Sequence, residues 1–227
     1  MMKPVPPHEQ FIDAVAVHDV TIDPTTGLAH LLPASFDDAY AIFLWLCALA
    51  GGESHESWLE SYANFGRVFA IGDSIGGNLV HKVATQAGAN DVEPLKLVAE
   101  PSKSFLELPE NPLLTREMLK KFMLLALPFG STMDHPIICP MGTQAPSLAT
   151  LSQLPMLVVV AEMDLLINTE LEYCEVMKEA EKEVEVLINE RMSHNFYLNK
   201  AAIELDEVTA TQAEKLILEI TSFINKH

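Results

Sequence analysis

The sequence predicts an α/β fold, with a mostly parallel sheet and helices on both faces, and three observations predict it. In the second half, apolar runs of strand length alternate with segments at helical spacing: Pro155–Ala161, Thr169–Ala180, Val184–Ile188 and Thr209–Asn225. That order is what a parallel sheet with packed helices requires. The run Pro155–Ala161 (PMLVVVA) is apolar at consecutive positions, as a strand buried on both faces must be. Finally, Gly72-Asp73-Ser74-Ile75-Gly76 stands between an apolar run and a helical segment, a G-x-S-x-G pattern in a strand-to-helix setting.

Taken in order, a Pro-rich start leads into Val15, Val17, Val20 and Ile22, a weak strand pattern ended by Asp23-Pro24 and Gly27. Residues 1–28 therefore read as an N-terminal segment with a weak strand, and residues 29–227 as a single domain. Ser35 or Asp37 is placed to cap a helix running to about Leu49 and closed by Gly51-Gly52. Arg67–Ile71 (RVFAI), bounded by Gly66 and Gly72, reads as a short buried strand, and Gly77–Gln86 as a helix closing at Gly88. Leu95–Ala99 is a strand candidate, and Thr115–Leu127 a helix stopped by Pro128. After the strand Pro155–Ala161, Thr169 lies three residues before Glu172, as in a capping box. Val184, Val186 and Ile188 alternate as a strand does. Ala213, Leu216, Ile217, Ile220 and Ile224 recur at helical spacing.

Bulk properties narrow the function. The chain has 227 residues, 49% of them apolar. That is enough to bury about 70–75% of the surface its unfolded form exposes, so no disulfide or metal staple is needed. Fourteen basic residues against 32 acidic ones give a formal charge of −18, which repels phosphate backbones and anionic membranes. Neither nucleic acid nor a membrane is expected as a partner. Cys47, Cys139 and Cys174 are odd in number and form no C-x-x-C pair. They are expected as buried thiols in a reducing compartment, and no metal or cofactor site is expected. Met1–Pro7 holds no apolar h-region, and the apolar stretch Ala39–Ala50 is too short to span a bilayer. A cytoplasmic protein is the expectation.

The chemistry centres on Ser74. In a tight strand-to-helix turn, side chains at positions 72 and 76 are expected to collide with backbone, so glycine is required at both. The serine is thereby pushed out at the carboxyl end of the sheet, over the positive end of the following helix. A serine hydroxyl is a poor nucleophile until a base takes its proton, and the base needs an orienting acid. Asp164 follows the strand Pro155–Ala161, and His194 lies in a loop after the strand Val184–Ile188. All three thus fall at carboxyl ends of predicted strands, in the chain order Ser, Asp, His. The nearest rival acid is Glu162, and the nearest rival base is His135 beside Asp134. Asp134 follows no strand. His8, His18, His55 and His227 sit in polar or terminal segments, His30 in a loop before proline, and His81 on the helix after the elbow.

The segment Gly72-Asp73-Ser74-Ile75-Gly76-Gly77-Asn78 resembles the G-D-S-x-G-G-N elbow of the hormone-sensitive-lipase-like esterases of the α/β-hydrolase fold. With Leu79-Val80-His81 it is similar to their plant carboxylesterase branch. So are Leu32-Pro33-Ala34 with Asp37-Asp38, Asp134-His135-Pro136 through Cys139-Pro140, and Met192-Ser193-His194-Asn195-Phe196-Tyr197. The resemblance implies an α/β-hydrolase fold with Ser74 as nucleophile, Asp164 as acid and His194 as base. The elbow would be Gly72, Asp73, Gly76 and Gly77, and the Ile75 backbone N–H one oxyanion donor.

It implies a serine carboxylester hydrolase acting on small or specialised-metabolite esters through an acyl-enzyme, without a cofactor. The sequence departs from that pattern in three places. It contains no H-G-G-G, the motif that supplies much of the family's oxyanion hole. After Gly27-Leu28 it passes at Ala29 into what resembles a much later family segment, and a smaller block is missing near Glu100-Pro101. Ile75 stands where the family has a small residue. An incomplete fold, missing early central strands, is therefore expected. Two other functions follow from the same resemblance. One is a ligand-binding protein or catalytically impaired paralogue, as in the gibberellin receptors, which lack the catalytic histidine that His194 retains here. The other is a lyase or cyclase of specialised metabolism.

Overall fold

The structure is a computed structural model. It describes residues 8–12, 15–17, 32–88, 106–110, 114–127, 130–132, 134–150 and 154–227. The candidate strand Leu95–Ala99, the residues Val20 and Ile22, and the junction at Leu28-Ala29 lie outside the described residues.

Near the start, β1 (His8–Ile12) pairs antiparallel with β2 (Val15–Val17). Helix α1 (Leu32–Ala50) begins before both capping residues named from the sequence and ends at the glycine pair, where Gly51 and Gly52 donate to the carbonyls of Cys47 and Leu49. Then come α2 (Ser57–Tyr62), α3 (Ile75–Gly88) and α4 (Arg116–Ala126). Thr115 caps α4 by accepting the Met118 N–H. The last third runs β3 (Met156–Ala161), α5 (Ile167–Glu179), β4 (Val184–Asn189), α6 (Lys200–Leu205) and α7 (Glu207–Lys226). No helix among the described residues is long and apolar enough to cross a membrane.

The core is built on the parallel pair β3–β4, in register from Met156↔Val184 to Ala161↔Asn189. Side chains alternate between the faces of a strand, and the two apolar clusters follow that alternation. Met156 and Val184 point to one face, where Met177 and Val176 of α5 pack with Met141, Leu148 and Ala84. Val159, Ala161 and Leu187 point to the other, against Ala213 and Leu216 of α7 with Met192 and Phe196. A helix thus covers each face, which is why β3 had to be apolar at consecutive positions. Burial of a side chain such as Leu216 or Met177 contributes about 1.5–3 kcal/mol.

Several expectations are corrected. Arg67–Ile71 is not a strand. Val68 is 63% exposed and Ile71 74%, and a strand exists only through a ladder with a neighbour. Among the described residues β3 and β4 pair with each other and nothing pairs with this run. It is tied instead by Arg67, whose guanidinium donates to the Ile224 carbonyl in the last turn of α7, 2.5 Å away. Thr169 does not cap α5. The helix starts at Ile167, preceded by Leu166 with no side-chain cap, because the turn after β3 already lies in helical conformation at Leu166. Of the three thiols only Cys174 is buried; Cys139 is half-buried and Cys47 exposed.

Candidate active site

Two loops at the carboxyl ends of β3 and β4 carry Asp164 and His194, the candidate acid and base. The loops are laced together by backbone: Glu162 N–H donates to the Asn189 carbonyl (3.1 Å) and Met163 N–H to that of Met192 (2.8 Å). Glu162, the rival acid, spends its carboxylate on the Arg191 N–H at 2.6 Å. Asp164 closes a turn on the Ala161 carbonyl and is 2% exposed. One of its oxygens, Oδ1, accepts the Leu166 N–H at 2.9 Å, which leaves Oδ2 to meet His194 Nδ1 at 2.5 Å. His194 is itself buried, and the next residue, Asn195, takes a left-handed conformation (φ 55°) that turns the loop.

The structure brings Ser74 to the other side of the same imidazole. His194 Nε2 lies 3.0 Å from Ser74 Oγ. With Nδ1–H donating to Asp164, Nε2 carries the lone pair and accepts the serine proton. Ser74 has φ 54°, a left-handed conformation that a non-glycine residue adopts only when its surroundings impose it. The imposition is local. Gly76 N–H donates to the Asp73 carbonyl (2.7 Å) and Gly77 N–H to that of Ser74 (3.0 Å). A Cβ on Gly72 would stand 2.0 Å from the Gly76 carbonyl oxygen, so glycine is obligatory there. At Gly76 a Cβ would meet nothing within 4 Å. The expected requirement at both glycines is corrected to Gly72 alone, since no described atom lies where a Cβ on Gly76 would point. Ile75, the first residue of α3, has an N–H with no acceptor inside the helix.

The electrostatics centre on the same imidazole. Burial pulls His194 down, but the Asp164 hydrogen bond and charge, with Glu170 and Asp73 nearby, outweigh it, and the net shift is upward. Sequence reasoning missed Glu170, in the first turn of α5. Its Oε2 is buried without a hydrogen-bond partner. Burial, reinforced by the Asp164 charge and opposed by His194, pushes its carboxyl up to about 8. The only signal in the sequence was its place six residues after Asp164, on a helix expected to start at Thr169. Also missed was Tyr197, whose hydroxyl donates to the Asp73 carboxylate across 124 residues.

Among the described histidines, His81 and His135 are engaged elsewhere. His81 lies between Tyr173 Oη (3.0 Å) and Thr85 Oγ1 (3.3 Å), and burial lowers it to about 4, so it stays neutral as a bridge from α3 to α5. His135 Nδ1 accepts the Ile137 N–H, while Asp134 binds Thr143, so the Asp134-His135 neighbours do not form an acid–base pair. Among the described residues the one carboxylate–imidazole cluster of metal-binding geometry, Glu183, Glu185 and His227, has Glu185 already paired with Lys226 at 2.5 Å.

Known proteins agree with this architecture. Residues 17–198 match the family described as alpha/beta hydrolase fold. A chloroplastic tuliposide A-converting enzyme 1 of Tulipa gesneriana is 34% identical over 176 residues, 74% of this chain and 45% of the relative. Gibberellin receptor GID1C of Arabidopsis thaliana is 32% identical over 191 residues, 78% of this chain and 54% of the receptor. The chain spans about half the length of these curated relatives. Among solved structures, a carboxyl esterase 2 from Tuber melanosporum superposes with a TM-score of 0.65 at 22% identity, covering 92% of this chain and 65% of that one. A Pyrobaculum calidifontis esterase gives 0.64 at 23%, covering 87% and 62%. At these identities the superpositions speak for the fold, and the fold, the elbow and the family match agree. The chain belongs to the α/β-hydrolase fold family, in its hormone-sensitive-lipase-like group.

Proposed function

We propose that the protein is a serine carboxylester hydrolase acting on small or specialised-metabolite esters. The observation that carries this reading is the unbroken hydrogen-bonded line from Ser74 through His194 to Asp164, with Ser74 held in a left-handed turn. His194 Nε2 takes the Ser74 proton as Oγ attacks the ester carbonyl, and Asp164 holds the imidazole and stabilises the imidazolium. The tetrahedral oxyanion forms over the start of α3, where the Ile75 N–H donates to it. Collapse expels the alcohol with the proton from His194 and leaves an acyl-enzyme. Water, deprotonated by the same imidazole, then releases the acid. No cofactor takes part.

The similarity to a tuliposide A-converting enzyme supports chemistry on a specialised-metabolite ester, and the superposed esterases support an ester-binding scaffold. Unpaired thiols fit the cytoplasm as the compartment, whereas the tulip relative is named chloroplastic. A fluorescent fusion would separate the two. Because the sequence lacks H-G-G-G, and one oxyanion donor is worth about 10²–10³ in kcat, slow turnover is expected. The test is hydrolysis of short-chain nitrophenyl esters together with fluorophosphonate labelling. Both should occur in the wild type and vanish in Ser74→Ala. Equal turnover by the two proteins would overturn the reading.

A second reading, ligand binding without turnover, draws on the similarity to a gibberellin receptor. Thermal stabilisation by a carboxylate or ester ligand in a protein that never labels at Ser74 would favour it.

A further inference from the structure

The elbow and the histidine loop are separate pieces of chain, 120 residues apart, and their separation sets whether Nε2 can take the serine proton. Among the described residues, two side-chain hydrogen bonds join them: Ser74–His194, which is the reacting pair, and Tyr197–Asp73. The run leading into the elbow is exposed at Val68 and Ile71, and among the described residues no sheet ladder holds the elbow from behind. Tyr197, by contrast, stands on firm ground. It sits in the short 3₁₀ turn Phe196–Leu198, just past His194. Its ring meets Phe196 edge-on at 5.4 Å, and Phe196 is buried in the cluster under α7. Asp73 immediately precedes the serine.

Resting on the assignment of Ser74 and His194 above, we propose that the Tyr197 hydroxyl and the Asp73 carboxylate form a latch that positions the elbow against the histidine loop, making Tyr197 and Asp73 positioning residues for proton transfer from Ser74. Burial, and then the bond to Asp73, hold the Tyr197 phenol above its usual range, so the phenol stays protonated and donates. The latch also keeps the Asp73 charge beside His194, where it joins Asp164 and Glu170 in favouring the imidazolium. A reacting group misplaced by about 1 Å loses about 10²-fold in rate, and loosening one of two tethers costs part of that.

The experiment measures fluorophosphonate inactivation rates and thermal midpoints for the wild type, Tyr197→Phe, Asp73→Ala, Asp73→Asn and the Tyr197→Phe/Asp73→Ala double variant. Tyr197→Phe should slow labelling about tenfold with an unchanged thermal midpoint. Asp73→Ala should do the same, and the double variant should be no slower than either single one. Asp73→Asn, whose amide oxygen still accepts the phenol proton, should recover most of the rate. A second readout needs no reaction: the His194 titration followed by NMR, with Asp164 and Glu170 unaltered, should move to lower pH in both Tyr197→Phe and Asp73→Ala. Wild-type labelling in Tyr197→Phe, additive losses in the double variant, or an unmoved His194 titration would each overturn the latch. If the wild type never labels, the esterase reading fails, and the NMR arm alone decides the latch.

Discussion

At Gly72 and Gly76, two identical residues four apart in one motif, the same substitution meets opposite surroundings. An added methyl at Gly72 stands 2.0 Å from a backbone oxygen that cannot move without opening the elbow, whereas at Gly76 it enters open space. Gly72→Ala should therefore cost about 1–3 kcal/mol of stability and reduce fluorophosphonate labelling by at least about tenfold. Gly76→Ala should label within about threefold of the wild type. Labelling of the two variants and their urea unfolding midpoints check this. Glu170 sets up a different prediction. Its native carboxyl titrates at about 8, above the ordinary 4.5, so the folded state binds this proton more tightly than the unfolded state. Its stabilising share is complete below pH 4.5, falls as pH rises, and is fully lost above about 8. Glu170→Gln removes that dependence. Urea unfolding should find the variant more stable than the wild type by roughly 4 kcal/mol near pH 7.5, with little difference near pH 4.5. Ser74, Asp164 and His194 were legible as candidates, because each follows an apolar run in the order the elbow demands, and the structure brings the three side chains together. Glu170 and Tyr197 were not, since nothing in a linear pattern says that a carboxyl six residues after Asp164 lies near His194, or that a phenol 124 residues after Asp73 bonds its carboxylate.

Among the elements, β3, α5, β4 and α7 were legible to within two residues, because each carries a periodicity that its own burial requires. The start of α7 moved ahead of Thr209 because Asp206 caps the helix by accepting the Thr209 N–H at 3.0 Å. The face shared by α7 and the odd-numbered positions of β3 supports the histidine loop as well as the sheet, because Met192 and Phe196 belong to the same cluster as Leu216. Leu216→Ala should then cost about 2–4 kcal/mol in chemical denaturation. It should also weaken labelling at Ser74, as the floor beneath His194 loosens. Arg67–Ile71 marks the limit of this kind of reading. Its apolar composition asks for burial, but pairing depends on neighbours that the run itself does not specify.

For the whole molecule, net charge is the property that composition exposes most directly. A chain at −18 repels itself, which opposes compaction. Raising ionic strength from about 0.01 M to about 0.15 M shortens the screening length from about 30 Å to about 8 Å. The thermal midpoint should rise by a few degrees, and a midpoint that fell instead would mean that attractive surface pairs such as Lys121–Glu117 and Lys226–Glu185 outweigh the net repulsion.

By itself the sequence determined the α/β class, the elbow motif, the order of the three candidate site residues and the two apolar strands that put Asp164 and His194 at one edge of a sheet. These follow from local rules: side-chain periodicity, the sterics of a tight turn, and the need of each apolar run for burial. Only the tertiary structure decided which imidazole nitrogen faces which partner, that Gly72 alone is sterically obligatory, that no described strand pairs with Arg67–Ile71, that Glu170 lies near His194, and that Tyr197 bonds Asp73. Those are matters of distance between residues remote in the chain, and hydrogen bonds and charges act over a few ångströms of space whatever the separation in sequence.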